Sequence, residues 1–480
     1  MADILSLQIM RFGLYLTILI FAVGLHAQSR RVSPNPTPSE PITTAELTVK
    51  QMFDEANGYN KIKFAEYETK KVPYSEKLRL QTEREQKQLA AKYAAIAATR
   101  KGLTGEDLYY AGLLHWIAEN LDGTSETLRK YLEARNTTGE KAQTSRSIVS
   151  IIAAKQRKFE QSLSFLAEYS KNQPLKLSER TRMQSELAKA YIAEKKFADA
   201  TPHAAEAYRF AKTILLDSGI TQRGLDEVLD TGMLLHECHR TNGNVKEADE
   251  ALDDLRKTAA TVGSVSLYFY ASDKLITYLI GTGRKPLGLE TYLTSLIQAG
   301  KDLPTKPLQD EAIRLLKKRE KQYKLLGETA PEFTNIDQWF PGKPRTLKDL
   351  RGKVVLLDFW ATWCGPCFDA FPSLAEWHRD LANDGLVILG LTRYYGRGSG
   401  VDLDNPNEIL FLKNFKAKYD LPYDFVVAKD QSTQMSYAAT GLPTAVLIDR
   451  KGVIRYIESG TNPTRIEEMR EMVLKLLAEK

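Results

Sequence analysis

At 480 residues, with 43% hydrophobic and 27% charged side chains, the chain is long enough for two or more domains and apolar enough to give each a core, which excludes a disordered polymer. Lys and Arg number 67 against 61 Asp and Glu, and residues 331–480 carry 19 of those positive charges against 20 negative, so the excess sits in the first 330 residues. It is mild and interspersed along helix faces, which excludes the concentrated basic stripe that nucleic-acid binding requires.

In chain order, Arg11 precedes the apolar run Phe12 to Leu25 and the small-residue exit His26-Ala27-Gln28. A basic flank, apolar core and small exit predict a secretory signal over residues 1–27 and a periplasmic or otherwise extracytoplasmic location. The run falls short of the roughly 20 residues of a membrane span; an uncleaved membrane anchor is the alternative reading. Residues 28–42, with Pro34, Pro36, Pro38 and Pro41 among Ser and Thr, read as a flexible spacer.

Residues 43–326 predict an all-α domain, with amphipathic runs over Glu76–Thr99, Leu108–Ala118, Arg180–Ala193 and Leu308–Leu326. Ala188-Lys189-Ala190-Tyr191 through Phe197 to Ala200, continuing to Ala204 and Ala207, is similar to the tetratricopeptide pattern of small residue, Tyr, turn, aromatic and Ala. Looser units lie around Lys158–Ser162 and Asn244–Ala248, spaced 38 residues from Ser162 to Ala200 and 48 from Ala200 to Ala248. Stacked helix pairs of this kind bury a shared core that one pair cannot. Cys238, flanked by His236 and His239, offers half a metal site at most, and a packed helix face is the simpler reading.

Beyond a short polar link at Gly327–Thr329, residues 327–480 change character. The continuous apolar run Val354 to Leu357 predicts a buried strand, and after Asp358-Phe359-Trp360-Ala361-Thr362-Trp363 come Cys364-Gly365-Pro366-Cys367 and an amphipathic helix, which Pro372 should kink. This places Cys364 at a helix N-terminus, where free N–H groups and the positive dipole end favour a thiolate, so Cys364 is the predicted nucleophile. Cys367, one turn in and less exposed, is the predicted resolving thiol. Gly365 supplies backbone freedom and Pro366 suits the first turn, where its missing N–H has no partner anyway. Asp358 interrupts an apolar strand: buried, it would hold its proton tightly and could exchange it with Cys367; on an edge strand it would be solvated. Gly441-Leu442-Pro443-Thr444 opens a second strand, and a cis bond at Pro443 would expose the backbone of Leu442 to an extended substrate. Trp363, Leu442, Gly365 and Pro366 are the candidate substrate-contacting positions. A structural zinc site lacks its second ligand pair, so no metal is expected. A peroxidatic site lacks its Pro and Thr, whose places hold Leu357 and Ala361.

The segment Asp358 to Cys367, followed by Leu442-Pro443-Thr444, resembles thioredoxin-fold proteins. With Ala330-Pro331-Glu332-Phe333-Thr334 and Thr346-Leu347 to Lys353, it is similar to the extracytoplasmic TlpA/ResA type of thiol-disulfide oxidoreductase. The resemblance covers about the last 150 residues, a common domain length. It implies a multidomain protein in which an α/β thioredoxin-fold domain, a central sheet flanked by helices, follows the helical one. It also implies Cys364 as attacking thiol, Cys367 as resolving thiol, Asp358 as buried proton carrier and Pro443 as cis-proline. The activity expected is dithiol–disulfide exchange without a bound cofactor, acting as a reductant, since Trp363-Cys364-Gly365-Pro366-Cys367 resembles the family's reducing end. The partners expected are protein dithiols and disulfides and an upstream electron donor, for which a membrane-bound protein is one candidate. A helical scaffold carrying a low-turnover redox domain is the alternative. One departure is the long Gly-rich stretch Thr392 to Pro406, either a partner-binding element or an insertion.

Overall fold

The computed structural model describes residues 47–134, 137–218, 221–398 and 400–479; the expected signal and spacer, 1–27 and 28–42, lie outside them. Among the described residues no helix is long and apolar enough to cross a membrane. Two compact units divide the chain between Ala251 and Leu252.

The first unit is helical: α1 (Val49–Thr69), α2 (Glu76–Ala98), α3 (Glu106–Ile117), α4 (Leu121–Glu133), α5 (Gly139–Lys155), α6 (Phe159–Lys171), α7 (Leu177–Ala193), α8 (Phe197–Ser218), α9 (Gln222–Thr241) and the start of α10 (Val245–Thr261). The corners α5/α6, α7/α8 and α9/α10 close in one way. A left-handed residue (Arg157, Lys195 or Gly243) ends the first helix. The next N–H then reaches back to a carbonyl five residues earlier: Lys158 to Ala153, Lys196 to Tyr191 and Asn244 to His239, each at 2.9 Å. Four residues after each capping position stand Ser162, Ala200 and Ala248, all fully buried. A fourth corner, α3/α4, follows the same rule with Glu119 left-handed, Asn120 N–H bonded to His115 at 3.0 Å and Thr124 fully buried. Sequence patterning passed over it because Thr124 is neither Ala nor Ser. The hydroxyls of Ser150 and Ser162 each donate to the other's carbonyl, at 2.9 and 2.8 Å, which draws α5 and α6 together. Phe159 stacks on Tyr191 at 4.2 Å, so the aromatic stripe is core packing. His236 is buried with Nδ1 2.9 Å from the Ala248 carbonyl, and burial pushes the Cys238 thiol up to about 11.

The second unit holds the rest of α10, then α11 (Val265–Gly281), α12 (Lys285–Asp302) and α13 (Lys306–Leu325), followed by β1 (Ile336–Phe340), β2 (Val354–Phe359), α14 (Gly365–Leu381), β3 (Leu386–Arg393), the short β4 (Arg397–Gly398) and β5 (Val401–Asp402), α15 (Asn405–Lys418), β6 (Asp424–Ala428), α16 (Ser432–Ser436), β7 (Thr444–Ile448), β8 (Ile454–Ser459) and α17 (Pro463–Ala478). The expected boundary at 326/327 thus falls inside this unit, which takes in three helices before the sheet. One reason is that α13 covers β8. Arg319, almost fully buried, donates to the Ile457 carbonyl at 3.1 Å and pairs with Asp273 at 2.9 Å and Glu458 at 3.5 Å.

The six-stranded sheet has the order β1-β6-β3-β2-β7-β8. β3 lies parallel to β2 and β6, and the outer pairings are antiparallel. β2 is interior and buried at every position, as a continuous apolar run between two strands requires. Val354, Leu356 and Trp360 alternate onto the face covered by α14, in one core with Phe371, Leu374, Phe415, Phe425 and Val473. α14 continues through Pro372.

Residues 252–480, produced as one fragment, are expected to unfold in a single cooperative transition in urea. A fragment starting at residue 331 should show a lower midpoint, because its β8 surface loses the α13 cover. Equal midpoints would return the boundary to residue 327.

Candidate active site

Cys364 is the N-cap of α14 and Cys367 lies in its first turn, with Pro366 between them at the helix start. Their sulfurs are joined in a disulfide with the Cα atoms 5.4 Å apart, the oxidised state of the pair. Cys364 and Cys367 are both buried, 4% and 1% exposed. Around them Gly365 and Pro366 are exposed, and Trp363 is half exposed. These side chains make a rim that a second protein can touch without unfolding anything.

Asp358 sits in β2, opposite Gly390 of β3 and Ala445 of β7. An interior strand excludes the solvated reading. The side chain is 3% exposed, and its Oδ2 has no hydrogen-bond partner among the described residues. Burial alone pushes its carboxyl up to about 7, so near neutral pH it stands ready both to hold and to release a proton. By strand alternation it shares a face with Leu356 and Trp360, whose core contains both cysteines.

The space over Gly390 is filled by neighbours of that acid. A Cβ there would stand 3.1 Å from Trp360 Nε1 and 3.2 Å from Tyr423 Cε2. Tyr423 Oη and Trp360 Nε1 are also buried without a partner among the described residues. Burial, and after it the charge of Asp358, raises the Tyr423 phenol well above its ordinary value, so it remains a neutral hydroxyl beside the acid. Sequence reading missed Tyr423. The available signal was Gly390, a glycine inside a buried apolar strand, which marks a close approach.

Leu442 and Pro443 are joined by a cis peptide bond at the start of β7. Leu442 packs against the core cluster that also contains Cys364 and Cys367. The stretch 392–406 is anchored by the buried Glu408, whose carboxylate accepts the N–H groups of Tyr395 and Gly396 at 2.9 Å each. Tyr395 presents its ring edge-on to Trp363 at 5.3 Å, and the Arg397 guanidinium lies 5.7 Å from the Trp363 ring. Tyr395 and Arg397 therefore border Trp363, the residue before Cys364, which no motif announced. Among the described residues no group of three or more His, Cys, Asp or Glu side chains is placed to hold a metal ion.

The Redoxin family model matches residues 325–473. The thiol-disulfide oxidoreductase ResA of Bacillus thuringiensis is 33% identical over 144 residues, 30% of this chain and 75% of its own. The chain belongs to the ResA-type thiol-disulfide oxidoreductases. ResA of Geobacillus thermodenitrificans is 32% identical over 142 residues, covering 30% of this chain and 74% of the relative. A Chlorobium tepidum protein described as a thiol:disulfide interchange protein, DsbE, aligns in structure at 30% identity with a TM-score of 0.25, over 32% of this chain and 98% of its own. Helices α1 to α12 precede the Redoxin match.

The raised proton affinity of Asp358 has a measurable consequence. The folded state holds this proton more tightly than the unfolded chain, whose carboxyl titrates near about 3.9. The associated stability is therefore full below that value and is lost as pH rises through about 7. The loss is on the order of 4 kcal/mol. Asp358→Asn in the oxidised protein is expected to raise the melting temperature at pH 8 and to change it little at pH 4. The same variant should slow exchange by roughly 10²-fold, the typical worth of a positioned acid–base group. A pH-independent difference in melting temperature would show Asp358 to be solvated.

Proposed function

We propose that this protein is an exported reductant of protein disulfides. The observation that carries the reading is a cysteine pair at a helix N-terminus, bordered by the exposed Trp363, Gly365 and Pro366 and packed in the core over the sheet face that bears the buried Asp358. In the reduced protein, the Cys364 thiolate attacks one sulfur of a substrate disulfide. A mixed disulfide forms and the other substrate sulfur leaves as a thiolate that takes up a proton. Cys367 gives its proton to the Asp358 carboxylate and attacks Cys364 Sγ. The second substrate sulfur departs, taking up a proton that Asp358 can return, and the Cys364–Cys367 disulfide is left. Two electrons have passed to the substrate, so each turnover needs an upstream dithiol donor to restore the pair.

The exposed Trp363, Gly365 and Pro366 with Leu442 form the surface against which an extended substrate segment would lie, its backbone beside Leu442. The helices that precede the Redoxin match carry the recruitment role in this reading. The repeated corner, with a fully buried small residue at Thr124, Ser162, Ala200 and Ala248, supports a tetratricopeptide-like array, an architecture that presents an extended surface. The segment 1–27 supports export, with a retained anchor as the variant form of the same idea.

Cys364→Ser is expected to abolish insulin reduction by the full-length protein. Cys367→Ser should accumulate mixed disulfides with substrate, visible as adducts on non-reducing gels and released by dithiothreitol. Equal loss of activity in both variants without adducts would overturn the assignment of roles. A wild-type protein that reacts with the small reagent DTNB but turns over no protein disulfide would favour the scaffold reading.

A further inference from the structure

A polar line runs from α13 to the turn that carries Pro443. Gln322, 3% exposed, donates from Nε2 to the Ser459 hydroxyl and to the Ala438 carbonyl, at 3.2 Å each. Its Oε1 accepts from Arg319 Nη1. At the far end, Thr444 Oγ1 donates to the Gly441 carbonyl at 2.7 Å and lies 2.8 Å from Ser459 Oγ. The thread has one consistent direction. Thr444 uses its hydroxyl hydrogen on Gly441, so Ser459 must donate to Thr444, which leaves Ser459 Oγ to accept from Gln322. Arg319, which has no acceptor, starts the line, and each link polarises the next. Gln322 thereby holds both flanks of residues 438–444, the Ala438 carbonyl directly and the Gly441 carbonyl through two hydroxyls.

The placement argues against mere filling. A leucine at position 322 would occupy this buried place without the desolvation of an amide, and an amide persists there only where its hydrogen bonds are made. Leu442 packs on the core and Pro443 is buried, so the exposed Gly441 is the part of the turn that packing leaves to its hydrogen bond. Other tethers are Gly460 N–H to the Pro443 carbonyl and, at the start of the segment, Gln434 Nε2 to the Ala439 carbonyl, each at 2.8 Å. Arg319 is fixed in turn by Asp273 of α11, 2.9 Å away, which also accepts from Tyr323 Oη at 2.7 Å.

We propose that Arg319 and Gln322 are positioning residues for the Gly441-Leu442-Pro443 turn, and so for the backbone of the protein disulfide that docks on it. The inference rests on the reading that this turn receives an extended substrate. It makes α13, most of which precedes the Redoxin match, a working part of the redox site.

The test uses the full-length protein, with insulin as protein substrate and DTNB as a small disulfide that needs no backbone docking. Gln322→Leu is expected to raise KM for insulin roughly fivefold, about the worth of one hydrogen bond, while kcat and the DTNB rate stay within twofold. Ser459→Ala, which cuts the line from β8, should give the same KM shift. The Gln322→Leu/Ser459→Ala double variant should add little, and Ser459→Thr, which keeps the hydroxyl, should restore KM. An unchanged KM in Ser459→Ala, or a parallel fall of the insulin and DTNB rates, would overturn the proposal. Failure of the wild type to reduce insulin while reacting with DTNB would overturn instead the reading beneath it.

Discussion

Keeping a carboxyl dry on the central strand is the constraint on which the redox domain turns. Asp358 belongs to β2, and its cross-strand neighbours are the two small residues Gly390 and Ala445. Larger residues there would compete for the room that the Trp360 indole and the Tyr423 ring occupy over Gly390. Trp360 in turn packs on Phe415 at 5.2 Å and Phe425 at 4.8 Å, so the aromatic core of the domain and the proton affinity of its acid are one arrangement. In the proposed exchange, water exclusion is what gives the acid its use, since a solvated aspartate would be fully ionised at neutral pH and would hold no proton for a thiol.

The outer surface of the site comes from two segments of unlike character. One flank is the stretch after β3, where the buried Glu408 pins Tyr395 and Gly396 and the Tyr395 ring meets Trp363. The other is the Pro443 turn, backed by β8 and α13. Neither flank contributes a sulfur or a proton. In the proposed function both would shape what can lie beside the sulfurs, as where specificity elements stand on a rigid chemical core.

The chemistry was legible in the sequence because each of its residues breaks a local rule. An Asp in an apolar strand, a Cys pair around Gly-Pro and a Pro at a strand start are all locally anomalous, and they are the residues on which the proposed exchange rests. The four helical runs were likewise legible from their periodicity, and α2, α3, α7 and α13 lie within three residues of the expected limits. Tyr423, Tyr395, Gln322 and Arg319 break no such rule. A Gln and an Arg three residues apart on a charged amphipathic helix read as a solvated face, and only the docking of α13 on β8 turns them inward. For the same reason the polar link at 327–329 looked like a boundary, although compactness divides the chain at 251/252. Local composition records where a chain bends, not which pieces share a core.

The helical unit also shows where its length is free to vary. The corners are inelastic, for Thr124, Ser162, Ala200 and Ala248 have no exposed surface at all. The ten residues that separate a spacing of 48 from one of 38 must therefore be absorbed elsewhere. α4 and α6 each run 13 residues and α5 and α7 each 17, whereas α8 and α9 run 22 and 20. The extra turns enter at the ends remote from the fixed corners, so α8 outgrows α6 by roughly 13 Å and α9 outgrows α7 by roughly 5 Å while the corners keep the same bonds. Insertions of this kind can reshape a recognition surface while the stacking that supports it stays the same.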